Sequence, residues 1–239
     1  MLRPRLRHKW VIGKGDPIFV SDLQAILRIS TERHRHLCPR QVLGARIGLA
    51  GGAALGLDLL RRDKRLLVIL ETDGCFADGV EVATGCTVGH RTLRIEDYGK
   101  VAATFADVKT GRTVRIAPLL DVRARACAYA PDESRHYFAQ LQAYQIMPEH
   151  ELLSIQEVQL TPPLKTIVSR AGVRVNCAAC GEEIINEREV VCEGEVRCRS
   201  CAGQSYYQLT APALPALSPQ PYNPLLAARW PNGPLVDGQ

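Results

Sequence analysis

The 239-residue chain is 46% apolar and 5% aromatic. That composition supports one substantial domain plus a small module and excludes a collagenous or wholly disordered chain. The longest uncharged apolar run, residues 47–57, is about half of what a bilayer span requires. The basic start lacks the apolar stretch of a secretory signal, so the expectation is a cytoplasmic protein with no membrane partner.

The net charge of +5 is uneven. Residues 1–40 hold nine Lys/Arg against three Asp/Glu, a surplus of +6, and everything after them sums to −1. Residues 1–20 read as an irregular basic arm, either a solvated tail or a contact for nucleic acid or an acidic partner. A core domain is expected over residues 21–163. Ser21 suits the N-cap of a first helix with an apolar stripe at Leu23, Ile26, Leu27 and Ser30. Pro39 restricts Cys38, ends that helix and opens a second one running roughly to Leu60. The second helix is apolar nearly all round and rich in Gly and Ala, which predicts tight burial.

Residues 65–70 form a continuous apolar run, read as a central strand that ends in the polar stretch Glu71-Thr72-Asp73-Gly74-Cys75. A short helix is expected over residues 78–84. Residues 101–108 and 113–116 predict a hairpin. Helices over 119–129 and 132–145 and a strand over 152–160 follow. Cys127 reads as a packing residue on the first of these two helices. Pro162-Pro163 marks a boundary. Residues 211–239 contain seven of the fifteen prolines and read as a mostly disordered tail. Its piece 222–230 has enough apolar character to dock on its own core or on a second subunit.

Nine cysteines, an odd number with two tight pairs, point to metal rather than to disulfides. Cys177-Ala-Ala-Cys180 and Cys198-Arg-Ser-Cys201 have the spacing of a four-thiolate tetrahedral zinc site, placed in a module over residues 170–210. The stretch between the pairs can fold as a hairpin, with a helix expected after Cys201, as in a treble-clef or ribbon finger. Cys192 reads as a hairpin packing residue or a substitute ligand. Residues 177–203 carry six Glu and three Arg, a local charge of −3. Phosphate binding needs the opposite sign, so nucleic acid is not expected as a partner of this module. Four cysteine ligands also leave no open position for catalysis.

A second constellation is His34-Arg35-His36-Leu37-Cys38-Pro39. His34, His36 and Cys38 offer two or three ligands in either helical or extended geometry. Cys38, just before a helix, is a metal ligand or a reactive thiol and so the candidate catalytic residue. Cys75 or Cys86 is expected nearby, giving a candidate site for a second metal of borderline-soft type. Asp73 is a candidate ligand or a support for a histidine.

The run His34–Leu49 and the segments Glu71–Cys75, Thr84–Gly89, Asp97–Lys100 and Thr110–Arg112 resemble the FmdE subunit of formylmethanofuran dehydrogenase. The resemblance implies an α+β core with a mixed sheet and packed helices, and in some members a C-terminal treble-clef zinc finger. In its H-G-H-x-C-P-G and T-G-C-T-x-G-K motifs this chain places Arg35 and Arg40 at the two glycines and His90 at the lysine. These cations can reshape the mouth of the site or favour an anionic ligand. The function implied is a metal-binding accessory protein or subunit of a molybdenum- or tungsten-dependent redox system, as a homo-oligomer or with a protein partner, and with room for a small-molecule ligand. The alternatives are a stand-alone metal- or thiol-dependent enzyme, and a zinc-finger regulator that uses its basic arm.

Overall fold

The computed structural model describes residues 22–61, 63–168, 170–208 and 210. The basic arm, Ser21 and the proline-rich tail lie outside the described residues. One compact unit ends at Val168 and a second follows it. Among the described residues no helix is long and apolar enough to cross a membrane.

The first unit is α+β. Helix α1, Leu23–His34, starts at Asp22, whose carboxylate accepts the Gln24 N–H at 2.9 Å. It ends at Arg35, a non-glycine residue in the left-handed region at φ 65. Helix α2, Pro39–Leu55, opens on Pro39, as the proline predicts. It stops at Leu55 rather than near Leu60 because Gly56 turns left-handed and donates back to Ala53 and Gly52. Strand β1, Leu66–Leu70, leads into helix α3, Cys75–Thr84. α3 begins three residues before the expected Asp78.

Five strands form one mixed sheet in the order β2-β1-β3-β4-β5. The expected hairpin is β3, Ala103–Asp107, and β4, Thr113–Pro118, with Phe105 opposite Val114. β5, Leu153–Glu157, extends the sheet antiparallel to β4. β2, Leu93–Ile95, pairs parallel with β1 and was not expected. Three residues are too few to show alternation. Helices α4, Val122–Tyr129, and α5, His136–Ile146, fill the segment before β5. Cys127 on α4 is only half-buried, with its sulfur 3.5 Å from His136 Nδ1. The short helices α6, Glu149–Leu152, and α7, Leu164–Val168, complete this unit.

α2 is the axis of the core. On one side Gly51 lies over the Phe105 ring, where an added Cβ would sit 2.5 Å from the ring. On another side α2 meets α3 backbone to backbone. A Cβ at Gly44 would fall 2.3 Å from the Phe76 carbonyl oxygen, and one at Gly79 2.3 Å from that of Gln41. Polar anchors hold the periphery. Arg46 donates to the Tyr144 and Met147 carbonyls at the end of α5, at 3.0 and 2.8 Å. Arg65 grips Asp107 with two bonds, at 3.0 and 2.9 Å, and holds that carboxyl well below the usual carboxylate range.

The second unit holds two small hairpins. β6, Arg174–Asn176, pairs with β7, Glu183–Ile185, and β8, Val190–Cys192, with β9, Glu195–Arg197. The helix expected after Cys201 is reduced to a single turn, Ser200–Gln204, which the chain leaves at Gly203 with φ 87.

Two stability outcomes follow from these backbones. Gly44→Ala should cost about 1–3 kcal/mol through overpacking, against the propensity gain of about 1 kcal/mol that alanine brings to a helix interior. Gly89→Ala, with nothing within 4 Å of the added Cβ, should be neutral in the same thermal melts. Arg35→Gly should raise stability by about 1 kcal/mol, because a side chain at left-handed φ is strained and glycine is not. A lower melting temperature for Arg35→Gly would contradict this account.

Candidate metal centres

The core site grows from the α2–α3 contact. Gly44 lies against residues 76–80 and Gly48 against residues 80–84, so the two helices run in the same direction. Their N-termini therefore sit side by side. Cys38 is the N-cap of α2 and Cys75 the first residue of α3. Gly74 makes the second placement possible: its φ 69, ψ −148 lies in a region essentially reserved to glycine, and the turn brings the chain from β1 directly into α3. Cys38 is 6% exposed and Cys75 partly exposed. Burial first, and then the neighbouring Cys38 sulfur, push the Cys75 thiol up.

α1 delivers the histidines. Gln41, fully buried, accepts the Cys38 N–H at 2.8 Å and donates to the Ser30 carbonyl and hydroxyl at 3.2 and 3.0 Å. This side chain fixes the end of α1 against the start of α2. It places His34 Nε2 3.0 Å from Cys75 Sγ and His34 Nδ1 3.0 Å from the Asp78 carboxylate. The His36 ring lies 5.0 Å from that of His34, on the exposed side. Tyr137 of α5 borders the group: burial, and then the charge of Cys38 and Cys75, push its hydroxyl up.

Four of the five candidate residues thus gather at one end of the core, and Cys86 does not. It follows α3 at the opposite end, about 15 Å along the helix from Cys75 at 1.5 Å per residue. Its sulfur is 1% exposed and 3.6 Å from the Leu66 carbonyl oxygen, and burial pushes its thiol up. Its environment is that of a packed residue. Asp73 is exposed, and Asp78 occupies the position beside the histidine that Asp73 was expected to take. Asp78 and Tyr137 are the participants that sequence reasoning missed. The signal for Asp78 was its spacing: three residues after Cys75, it shares a helix face once the helix starts at Cys75.

The second centre is more compact. Among the described residues, the ligand atoms of Cys177, Cys180, Cys198 and Cys201 form a group that lies entirely within 4.8 Å. Cys177 follows β6, and its N–H donates to the Glu182 carbonyl at 2.9 Å, closing the first knuckle. The Ala178 N–H donates to Val196 of β9 at 2.8 Å, which draws the two cysteine pairs together. Sulfurs accept backbone bonds within the cluster: Cys198 N–H to Cys177 Sγ at 3.2 Å and Cys201 N–H to Cys198 Sγ at 3.4 Å. The N–H groups of Cys180 and Cys198 lower the Cys177 thiol to about 6. Cys201, beside the sulfurs of Cys198 and Cys180, is pushed up to about 12. Four adjacent sulfurs cannot all lose their protons without a cation among them. The all-sulfur donor set and its closeness fit a tetrahedral thiophilic ion. Cys192, in β8, lies outside the cluster.

The core geometry falls within residues 33–159, which match the family described as FmdE, Molybdenum formylmethanofuran dehydrogenase operon. A protein of Archaeoglobus fulgidus described as a probable S-adenosyl-L-methionine-binding protein is 36% identical over 99 residues, covering 40% of this chain and 27% of that protein. The chain therefore matches about a quarter of that curated relative's length. A crystal structure of an FmdE-like protein of tungsten formylmethanofuran dehydrogenase, from Syntrophus aciditrophicus, aligns with a TM-score of 0.51 and 22% identity. The alignment covers 80% of this chain and 97% of that one, and at that identity it speaks to the fold. The family match takes in 127 of the 239 residues, including His34, His36, Cys38 and Cys75, and with it the chain belongs to the FmdE family.

Proposed function

We propose that this FmdE protein is a metal-binding accessory protein or subunit of a molybdenum- or tungsten-dependent redox system. Its finger holds zinc, and its core holds a second metal through His34, His36, Cys38 and Cys75. The observation that carries the metal-binding reading is the cluster of four cysteine sulfurs within 4.8 Å. Zinc in that cluster supplies a cross-link between the two hairpins. Cys177 and Cys180 would hold it from one pair, and Cys198 and Cys201 from the other.

The core set serves a different purpose. Mixed nitrogen and sulfur donors suit zinc or another borderline-soft ion, and the partial exposure of His34 and Cys75 leaves the site within reach of solutes. The link to molybdenum or tungsten chemistry is supported by the family's description and by the printed name of the structural neighbour. A protein partner or a second copy is supported by the finger's surface. It is acidic, closed to catalysis, and presents Val191 at 68% and Tyr206 at 97% exposure.

Metal content by mass spectrometry tests the reading on protein captured from its own cells without added metal. Two zinc-class ions per chain are expected, with molybdenum or tungsten carried by co-eluting partners. Cys180→Ser should lose one ion and unfold the finger, and Cys75→Ser should lose the other while the finger keeps its own. Full retention in Cys180→Ser would remove the finger assignment, one ion in the wild type would remove the core metal, and the absence of both heavy metals would remove the redox link.

A second reading, small-molecule binding at the core, is favoured by the 36% identity to the protein described as S-adenosyl-L-methionine-binding. Calorimetric titration of the full chain with S-adenosylmethionine should then give a one-to-one isotherm that Cys38→Ala weakens. No heat of binding would eliminate it.

A further inference from the structure

We infer that Asp78 is the positioning residue of the core site, holding the Nδ1 side of His34 so that Nε2 is the nitrogen presented to Cys75 and to a bound metal. The inference rests on the reading of His34 and Cys75 as ligands. The geometry is a chain of two contacts, Asp78 Oδ2 to His34 Nδ1 at 3.0 Å and His34 Nε2 to Cys75 Sγ at 3.0 Å. An ionised carboxylate can only accept hydrogen bonds, and a neutral imidazole has one donor and one acceptor nitrogen. Asp78 therefore selects the form with its hydrogen on Nδ1. The Nε2 lone pair is left for the Cys75 thiol hydrogen, or for a cation in its place. Histidines that bind metals are oriented in this way by a carboxylate on their other nitrogen.

The framework holds this arrangement still. Cys75 and Asp78 are three residues apart on α3, so both stand on one face of a single rigid element. The same helix is locked against α2 at the next residue, Gly79. The neighbouring charges are otherwise engaged: Arg33, the cation before His34, lies 3.5 Å from Glu81, one turn along α3. Asp78 is thus the acid left to face His34, with Arg40 bearing on Cys75 from α2. A bland alternative exists. His34 and Asp78 side chains are 30% and 34% exposed, and a surface pair that merely ties α1 to α3 would contribute only about 0–1 kcal/mol. The two accounts differ in what they predict for the imidazole, and that difference is measurable.

The test uses the full zinc-supplied chain in wild-type, Asp78→Asn and Asp73→Asn forms, with two readouts. Chelator competition measures the affinity of each zinc site. Nitrogen-15 spectra of the histidine rings at about pH 9, above the ordinary histidine range, report the His34 tautomer. Asp78→Asn should weaken the core site about 10- to 100-fold, leave the finger's affinity unchanged and remove the Nδ1–H signature of His34. Asp73→Asn should change neither. Unchanged core affinity and tautomer in a folded Asp78→Asn protein would overturn the inference. If the wild type binds no core metal, the reading beneath it fails, and the tautomer alone decides the role of Asp78. A signature lost in Asp78→Asn supports it, and one retained overturns it.

Discussion

The backbone-to-backbone contact of α2 and α3 is the constraint on which the rest of the first unit depends. Two helices with side chains at their interface stay 8–10 Å apart. Gly44 and Gly79 let each helix approach the other's carbonyls to distances that a Cβ would close to 2.3 Å. Glycine in a helix interior costs about 0.5–1 kcal/mol relative to alanine. Here the cost is offset by burial, since α2 is enclosed by α3 on one side and by Phe105 of the sheet on another. Because the two helices run in the same direction, the contact also aligns their N-termini. Each contributes partial positive charge there, and each places one cysteine in that field.

The two metal centres differ in how their ligands are supported. The core ligands sit on helix ends fixed by buried packing and by Gln41, whose three hydrogen bonds join α1 to α2. Their positions follow from the fold of the whole unit. The finger has little comparable core: Cys177 and Ile184 are the buried apolar residues of its small hairpins. Its sulfurs are instead held by backbone N–H groups and by the link from Ala178 to β9. A module of that kind depends on its ion for stability, whereas the core unit has an apolar interior that does not.

What was legible in the sequence was mostly local. The cysteine spacing, the proline that divides α1 from α2 and the hairpin of β3 and β4 each depend on a few neighbouring residues. What was not legible depended on helical phase or on pairing across the fold. Starting α3 at Asp78 is reasonable for an acidic residue at a helix N-terminus, yet it hides the face that Cys75 and Asp78 share. The cause of the earlier start is the conformation of Gly74, for which composition gives no cue. β2 was missed because its partner is β1, reached only through α3. The finger's last helix was overextended because nothing in residues 202–210 announces the left-handed Gly203.

The stretch around Cys86 shows how one sequence motif can serve another that carries the ligands. Thr84 Oγ1 donates to the Val80 carbonyl at 2.8 Å and accepts the Cys86 N–H at 3.1 Å, so it ends α3 and starts the next turn with one hydroxyl. Gly85 lies so close to Leu60 that a Cβ would sit 3.1 Å from that residue's Cα. The Thr87 carbonyl then accepts the N–H groups of Thr92 and Leu93, both at 3.2 Å, and Thr92 Oγ1 accepts the Thr87 N–H at 3.0 Å. These bonds turn the chain from the end of α3 into β2, which must run parallel to β1. A parallel crossover fixes where its helix lies on the sheet. The Thr84–His90 segment therefore acts on the core site at a distance: it anchors the far end of α3, and the position of that helix determines where Cys75 and Asp78 meet His34.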